Sequence, residues 1–117
     1  MEIKESTSGT SEVLTITGKI DVTTSGQLQD AIIAGINRGG CDFVLDLSGA
    51  DYISSSGLRV LLIVIKRLKE QGGRLVIAAA SGHIREVFDI AGFTPLFPMY
   101  PTIDEALAAL ADTQQKQ

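Results

Sequence analysis

Residues 44–62 read VLDLSGADYISSSGLRVLL, an apolar run followed by three consecutive serines and a second apolar segment. The apolar residues are nearly continuous before the serines and helically spaced after them, which predicts a strand, a turn and an amphipathic helix. One serine suffices as an N-cap, because one hydroxyl oxygen satisfies a free N–H of the first turn. The two further hydroxyls lie at the positive end of the predicted helix, where a phosphate is favoured.

Further strand and helix patterns extend from this segment in both directions, in the order β-β-α-β-α-β-α-β-α. Residues 3–5 and 13–18 are predicted to form a hairpin across a polar loop at 6–11. Residues 41–47 and 74–78 are nearly continuous apolar runs, which indicates parallel strands covered on both faces. The helices are predicted to begin near Thr23–Ser25, the serine run, Ser81 and Pro101–Thr102.

The last predicted strand, residues 96–100, contains Pro98 and is therefore expected at a sheet edge, since proline cannot donate a ladder hydrogen bond. The pattern as a whole predicts one α/β domain with a mixed sheet of four to five strands and about four helices. This domain is expected to span residues 1–112, followed by a polar C-terminal tail at 113–117.

Composition excludes several classes of function. A net charge of −4 argues against nucleic-acid binding, which needs clustered lysine and arginine. One cysteine permits neither an internal disulfide nor a Cys/His metal cluster, so we expect no metal site and no cofactor. The longest nearly apolar run, residues 60–65, is too short for a membrane span, and the N-terminus has no signal-peptide pattern. We therefore expect a cytoplasmic domain.

Catalytic signatures are also missing from the sequence. There is no GxxxxGK[ST] motif and no GxGxxG turn, and the single histidine, His83, is expected on the surface. Asp46 interrupts an apolar strand, which fits either a hydrogen-bonded structural carboxylate or a role at the serine site. Asp21 fits either a turn-forming or a functional carboxylate, and Cys41 is expected to be a small buried side chain. We predict that the chain is not an enzyme.

Several segments together resemble the STAS family. The central pair is Asp-Leu-Ser at 46–48 and Ser-Ser-Gly-Leu-Arg at 55–59; weaker matches are GKID at 18–21, GGRLVI at 72–77 and FDIAGF at 88–93. In particular, they resemble the bacterial anti-sigma factor antagonists. The resemblance implies a single STAS-like α/β domain over nearly the whole chain, in agreement with the element order read from the residues.

The resemblance also implies roles for individual residues. In that family the phosphorylated serine follows an aspartate and precedes a Ser-Gly or Ala-Gly pair, which places the acceptor at Ser55, with Ser54 and Ser56 as alternates. Ser54 departs from the usual aspartate; it retains an oxygen for capping but lacks the charge. The implied partner-binding residues are Asp21, Ser54, Ser56, Gly57, Leu58 and Arg59.

The function implied by this resemblance is partner switching. The unphosphorylated protein would bind an anti-sigma factor that is also a GHKL-type serine kinase; phosphorylation of Ser55 would release it, and a PP2C-type phosphatase would reset the switch. A monomer or weak dimer is expected. The alternatives are an accessory subunit of a transporter or a regulatory domain that binds a small ligand or lipid. A hydrolase using Ser55 would need a nearby base that the sequence does not reveal.

Overall fold

The structure is a computed structural model that describes the backbone of residues 1–115 and the side chains of residues 1–111. The predicted element order and fold class are confirmed, with one short 3-10 helix added before the last strand. The strands are β1 Glu2–Ser8, β2 Ser11–Ile20, β3 Asp42–Ile53, β4 Arg74–Ala78 and β5 Met99–Tyr100. The helices are α1 Ser25–Asn37, α2 Ser55–Glu70, α3 Gly82–Ile90 and α4 Ile103–Gln115, and the 3-10 turn is Thr94–Leu96.

The five strands form one mixed sheet in the order β1-β2-β3-β4-β5. The β1–β2 pair is antiparallel and every other pair is parallel. As predicted, β5 is an edge strand, but it contains only two residues because the segment before it forms the 3-10 turn. Pro98 still contributes its carbonyl, which accepts a hydrogen bond from the Ile77 N–H at 2.9 Å.

Strands β1, β2 and β3 are longer than the sequence pattern predicts. The β1–β2 hairpin closes with Gly9 and Thr10 alone, because Gly9 adopts φ +61° and permits a tight turn. Strand β3 continues to Ile53 through polar residues, since it still pairs with β2 after β4 has ended opposite Asp46. The ends of β2 and β3 therefore project beyond the rest of the sheet.

Each face of the sheet buries its own cluster of apolar side chains. The larger cluster lies between the sheet and the helices α1, α2 and α3, with Leu45, Leu61 and Phe88 among its fully buried members. On the opposite face α4 alone covers Val13, Val44, Val76 and Ala78 with Ala106 and Leu110. This arrangement explains why residues 43–47 lack a clean alternation of apolar and polar side chains, since both faces of β3 are covered there.

Helix starts agree with the predicted caps, whereas the expectation for Cys41 differs. The Ser81 and Thr102 hydroxyls accept the N–H groups of Ile84 (3.2 Å) and Glu105 (3.1 Å). The prediction that Cys41 is buried is wrong: it is exposed in the turn before β3, where the covered part of the strand has not begun. Helix α4 runs to Gln115; of the tail expected at 113–117, residues 116 and 117 lie outside the described residues.

Within the described part of the chain, no helix combines the length and the apolar character that crossing a bilayer requires.

We expect Gly57→Ala to destabilise the fold by about 1–3 kcal/mol, the usual cost of overpacking a filled core. A Cβ at position 57 would lie 2.7 Å from the Ile20 Cγ2 and 2.8 Å from the Ile53 Cγ1. Gly82→Ala is the matched control, because position 82 also lies at a helix start but a Cβ there would meet nothing within 4 Å. Urea unfolding measures both changes, and equal effects would contradict the packing argument.

Candidate functional site

The projecting ends of β2 and β3 bring two loops together. Ile20 pairs with Ile53, and the Ser54 N–H donates to the Ile20 carbonyl oxygen at 2.8 Å. Because these strands are parallel, both chains leave the sheet at the same edge. The loop that starts at Asp21 therefore lies beside the serine run that starts α2.

The three serines have three different environments. Ser54 is the N-cap of α2: its backbone is extended and its Oγ accepts the Gly57 N–H at 3.2 Å. Ser55 is the first helical residue and is exposed, whereas Ser54 and Ser56 are half-buried. The hydroxyl with the greatest access to solvent is therefore the one that the family resemblance identifies as the acceptor.

Two backbone N–H groups at this helix start have no acceptor among the described residues. The Ser54 N–H is bonded to Ile20 and the Gly57 N–H to Ser54, but the Ser55 and Ser56 N–H groups have no such partner. Unpaired N–H groups and the helix dipole both favour negative charge at this position. An anion is therefore favoured at this helix start.

Gly57 and Leu58 pack into the core and hold the start of α2 in place. Gly57 lies against Ile20 and Ile53, and Leu58 is buried with 7% of its surface exposed. Of the six residues predicted to bind a partner, these two therefore fix the position of the helix start instead of presenting a surface. Arg59 is exposed, one helical turn after Ser55.

Asp21 organises the neighbouring loop. Its Oδ1 accepts from the Thr23 hydroxyl at 2.7 Å, the Thr23 N–H at 2.9 Å and the Thr24 N–H at 3.2 Å. The Thr24 Oγ1 accepts the Asp21 N–H at 2.9 Å and donates to the Lys19 carbonyl at 2.8 Å. The geometry thus gives Asp21 the turn-forming role, and the same turn leads into α1.

These bonds shift the acidity of Asp21. The Thr23 hydroxyl, followed by the Thr23 amide, lowers the pKa of the Asp21 carboxyl below its ordinary value, because both donors stabilise the ionised form. The loop is therefore held by a carboxylate that stays charged throughout the physiological range.

Sequence reasoning missed three exposed apolar side chains on the elements that carry this site. Val22 is 75% exposed in the Asp21 loop, Tyr52 is 42% exposed just before the serines, and Ile63 is 43% exposed two turns along α2 from Ser55. One signal was available, because Ile63 falls outside the helical stripe of buried residues in α2. Exposed apolar side chains beside a polar centre are typical of a protein-binding surface.

Asp46 and His83 do not belong to this site. Asp46 is buried and accepts hydrogen bonds from the Thr15 hydroxyl at 3.2 Å and the Ser48 N–H at 3.0 Å, so its role is structural. It lies opposite the end of β4, whereas β3 continues to Ile53 before the serines begin. His83 is exposed in the first turn of α3.

Comparison with known proteins identifies the family. The STAS domain model matches residues 3–106 of this sequence. The chain belongs to the STAS domain family. It is 41% identical over 92 residues to BtrV, a candidate anti-sigma factor antagonist of Bordetella bronchiseptica, covering 79% of each chain.

Two further proteins that are similar to this chain also carry the name anti-sigma factor antagonist. The anti-sigma-B factor antagonist of Bacillus subtilis is 32% identical over 77 residues, covering 66% of this chain and 70% of that protein. The crystal structure of an anti-sigma factor antagonist from Mycobacterium paratuberculosis has a TM-score of 0.84 at 29% identity and covers 92% of each chain. The resemblance read from the sequence is thus confirmed at the level of the family.

We expect the Asp21 loop to titrate in acid. The pKa of Asp21 is lowered in the fold, so its stabilising contribution is complete above the unfolded-state value and is lost as the pH falls through the folded-state value. The amide chemical shifts of Thr23 and Thr24, followed by NMR, should therefore change with a midpoint below the ordinary aspartate value of 3.8. In Asp21→Asn this step should be absent. A midpoint at or above the ordinary value would contradict the bonding described here.

Proposed function

We propose that this chain is an anti-sigma factor antagonist whose binding is controlled by phosphorylation of Ser55. In its unphosphorylated form it binds an anti-sigma factor that is also a GHKL-type serine kinase, and the sigma factor is released. Transfer of the ATP γ-phosphoryl group to the Ser55 hydroxyl ends the complex. A PP2C-type phosphatase hydrolyses the phosphoserine and restores binding.

One observation carries this proposal: Ser55 is the exposed hydroxyl of the three, at the start of α2 and beside a ready cap. Ser54 is a poorer acceptor, because its Oγ already accepts the Gly57 N–H and phosphorylation there would disturb the cap. Ser56 is half-buried, so a kinase has less access to it. The names of the chain's relatives support the same class of partner.

The charge of the phosphate accounts for a loss of partner binding without a loss of folding. A phosphoserine carries about −1.5 to −2 charges at neutral pH. Within this chain it would face the unpaired N–H groups of Ser55 and Ser56, which favour it. In a close interface the same charge must lose its hydration and meet a partner surface that fits a neutral hydroxyl. Phosphorylation therefore weakens the complex and leaves the domain folded.

The elements that carry Ser55 also present exposed apolar side chains, namely Val22, Tyr52 and Ile63. These exposed apolar side chains supply area that a partner can bury, and aromatic residues such as tyrosine are frequent hot spots. The carboxylate of Asp21 fixes the backbone on which Val22 lies, and Arg59 adds one cation.

We expect kinase treatment to modify Ser55 alone, and we expect Ser55→Asp to mimic the modified state. The purified chain is incubated with ATP and each GHKL-type serine kinase of its source organism, and the site is mapped by mass spectrometry. By calorimetry, Ser55→Asp should bind the cognate kinase at least about tenfold more weakly than the parent chain, a change of about 1.4 kcal/mol. Ser55→Ala should bind and stay bound when ATP is added.

Ser8→Asp is the matched control for this experiment. Ser8 is exposed at the hairpin end of β1, away from the projecting ends of β2 and β3, so the added charge should leave kinase affinity unchanged. All three variants should keep the parent circular dichroism spectrum. Phosphate found on Ser54 or Ser56 alone, or equal affinity of the Asp and Ala variants, would refute the assignment of Ser55.

Arg59 should stabilise the phosphorylated form. It lies four residues after Ser55 on an exposed helix face, a spacing at which side chains meet, and a guanidinium forms charge-assisted hydrogen bonds with phosphate. Phosphorylation should therefore destabilise Arg59→Gln more than the parent, by no more than about 1 kcal/mol because the pair is exposed.

Thermal unfolding with and without phosphate measures this difference, which should shrink at high salt. Lys66→Gln removes the same charge from a later turn of α2 and is the control. An identical effect of phosphorylation in the Arg59→Gln and Lys66→Gln backgrounds would show that Arg59 does not contact the phosphate.

A further inference from the structure

Strand β1 is an open edge of the sheet over its whole length. It pairs with β2 on one side, and no described strand pairs with the other side. Seven residues, Glu2–Ser8, therefore present alternate backbone N–H and C=O groups outward. An edge of this length is a template for a further strand unless its side chains prevent pairing. The other edge, β5, is only two residues long.

The side chains at the start of β1 have opposite charges and no partner within the described chain. Glu2 and Lys4 are two residues apart on the same face of the sheet, opposite Thr17 and Thr15 of β2. Both are exposed, and neither forms an ion pair with another described residue. Between them, Ile3 points to the other face and is only partly buried against the larger core cluster.

We propose that two copies of this chain pair through β1, in antiparallel orientation, with the twofold axis at Ile3. In this register Glu2 of each copy lies directly opposite Lys4 of the other, and the two Ile3 side chains meet on the inner face. Directly opposed side chains on an antiparallel pair have Cβ atoms within about 5.5 Å, which is close enough for an ion pair. The result is a continuous sheet through both copies.

Among twofold axes placed at residues 2–5, the charges favour the one at Ile3. Twofold symmetry places residues of the same face opposite each other, so the axis must pass through a residue and not between two. An axis at Lys4 opposes two lysines, and an axis at Glu5 opposes two glutamates, and like charges directly opposite destabilise a strand pair. The axis at Ile3 instead forms two opposite-charge pairs and adds an apolar contact.

The size of the contact makes the dimer a weak one. With the axis at Ile3, the strand residues that lie opposite each other are Glu2–Lys4 of each copy. A contact of this size is far smaller than a standard protein interface, which buries roughly 1,600 Å² in total. The pairing therefore depends on concentration and on salt. The paired surface is separate from Ser55. Pairing through β1 therefore goes beyond the proposed phosphorylation switch and can be tested independently of it.

A charge-exchange experiment tests the pairing. The chain, tagged only at its C-terminus, is studied by sedimentation over a range of concentrations. The parent should form a reversible dimer, and either Glu2→Lys or Lys4→Glu should raise the dimer dissociation constant by at least about tenfold, because attraction is replaced by repulsion. An equimolar mixture of the two variants should form a heterodimer, since each then supplies the charges that the other needs. The double variant Glu2→Lys/Lys4→Glu should regain the parent dimer.

Two controls separate pairing through β1 from other effects. Lys66→Glu on α2 changes the net charge as much as Lys4→Glu does and should leave the dimer unchanged. Raising the salt from about 0.05 M to about 0.5 M should weaken the parent dimer, since these charges are exposed. The proposal would be overturned if the parent chain stayed monomeric at all concentrations. It would also be overturned if Lys4→Glu did not weaken the dimer, or if the mixture of the two single variants formed no heterodimer.

Discussion

The close packing of Gly57 between Ile20 and Ile53 is the constraint on which the site depends. Only a residue without a side chain lets α2 begin against the ends of β2 and β3. That approach allows the Ser54 N–H to reach the Ile20 carbonyl at 2.8 Å and fixes the cap of the helix. Once Ser54 is fixed as the cap, Ser55 must be the first helical residue, and its side chain lies at the surface.

Much of this architecture could be predicted from the sequence, because its signals are local. The serine run and Ser81 marked helix starts through their hydroxyls, and Pro98 marked an edge strand through its missing N–H. The lengths of the strands could not be predicted in the same way. Polar residues at the end of β3 resembled a loop, whereas pairing with β2 keeps them in the sheet.

For the site, too, local features of the sequence could be interpreted, whereas features that depend on contacts between distant segments could not. The position of the exposed serine followed from family resemblance and capping, and the environments of Ser54 and Gly57 agree with it. Exposure of Val22 and Tyr52 depends on where two strands end relative to their neighbours, which no pattern of residues along the chain records. The sequence position of Asp46 fitted either a structural role or a role at the serine site. Its two hydrogen bonds assign the structural role.

The projection of β2 and β3 beyond β4 has a consequence for how such proteins diverge. Val22 is 75% exposed, so most substitutions there should change stability by only about 0.5 kcal/mol or less. Tyr52 and Ile63 keep 42% and 43% of their surface exposed, so substitutions there should cost less than they would at a fully buried side chain. These exposed side chains can therefore change during evolution while the domain still folds, whereas Gly57 and the Ser54 cap are constrained by packing. A bacterium that carries several copies of this domain could keep their signals separate by altering these side chains alone, since specificity is a difference between affinities for competing partners.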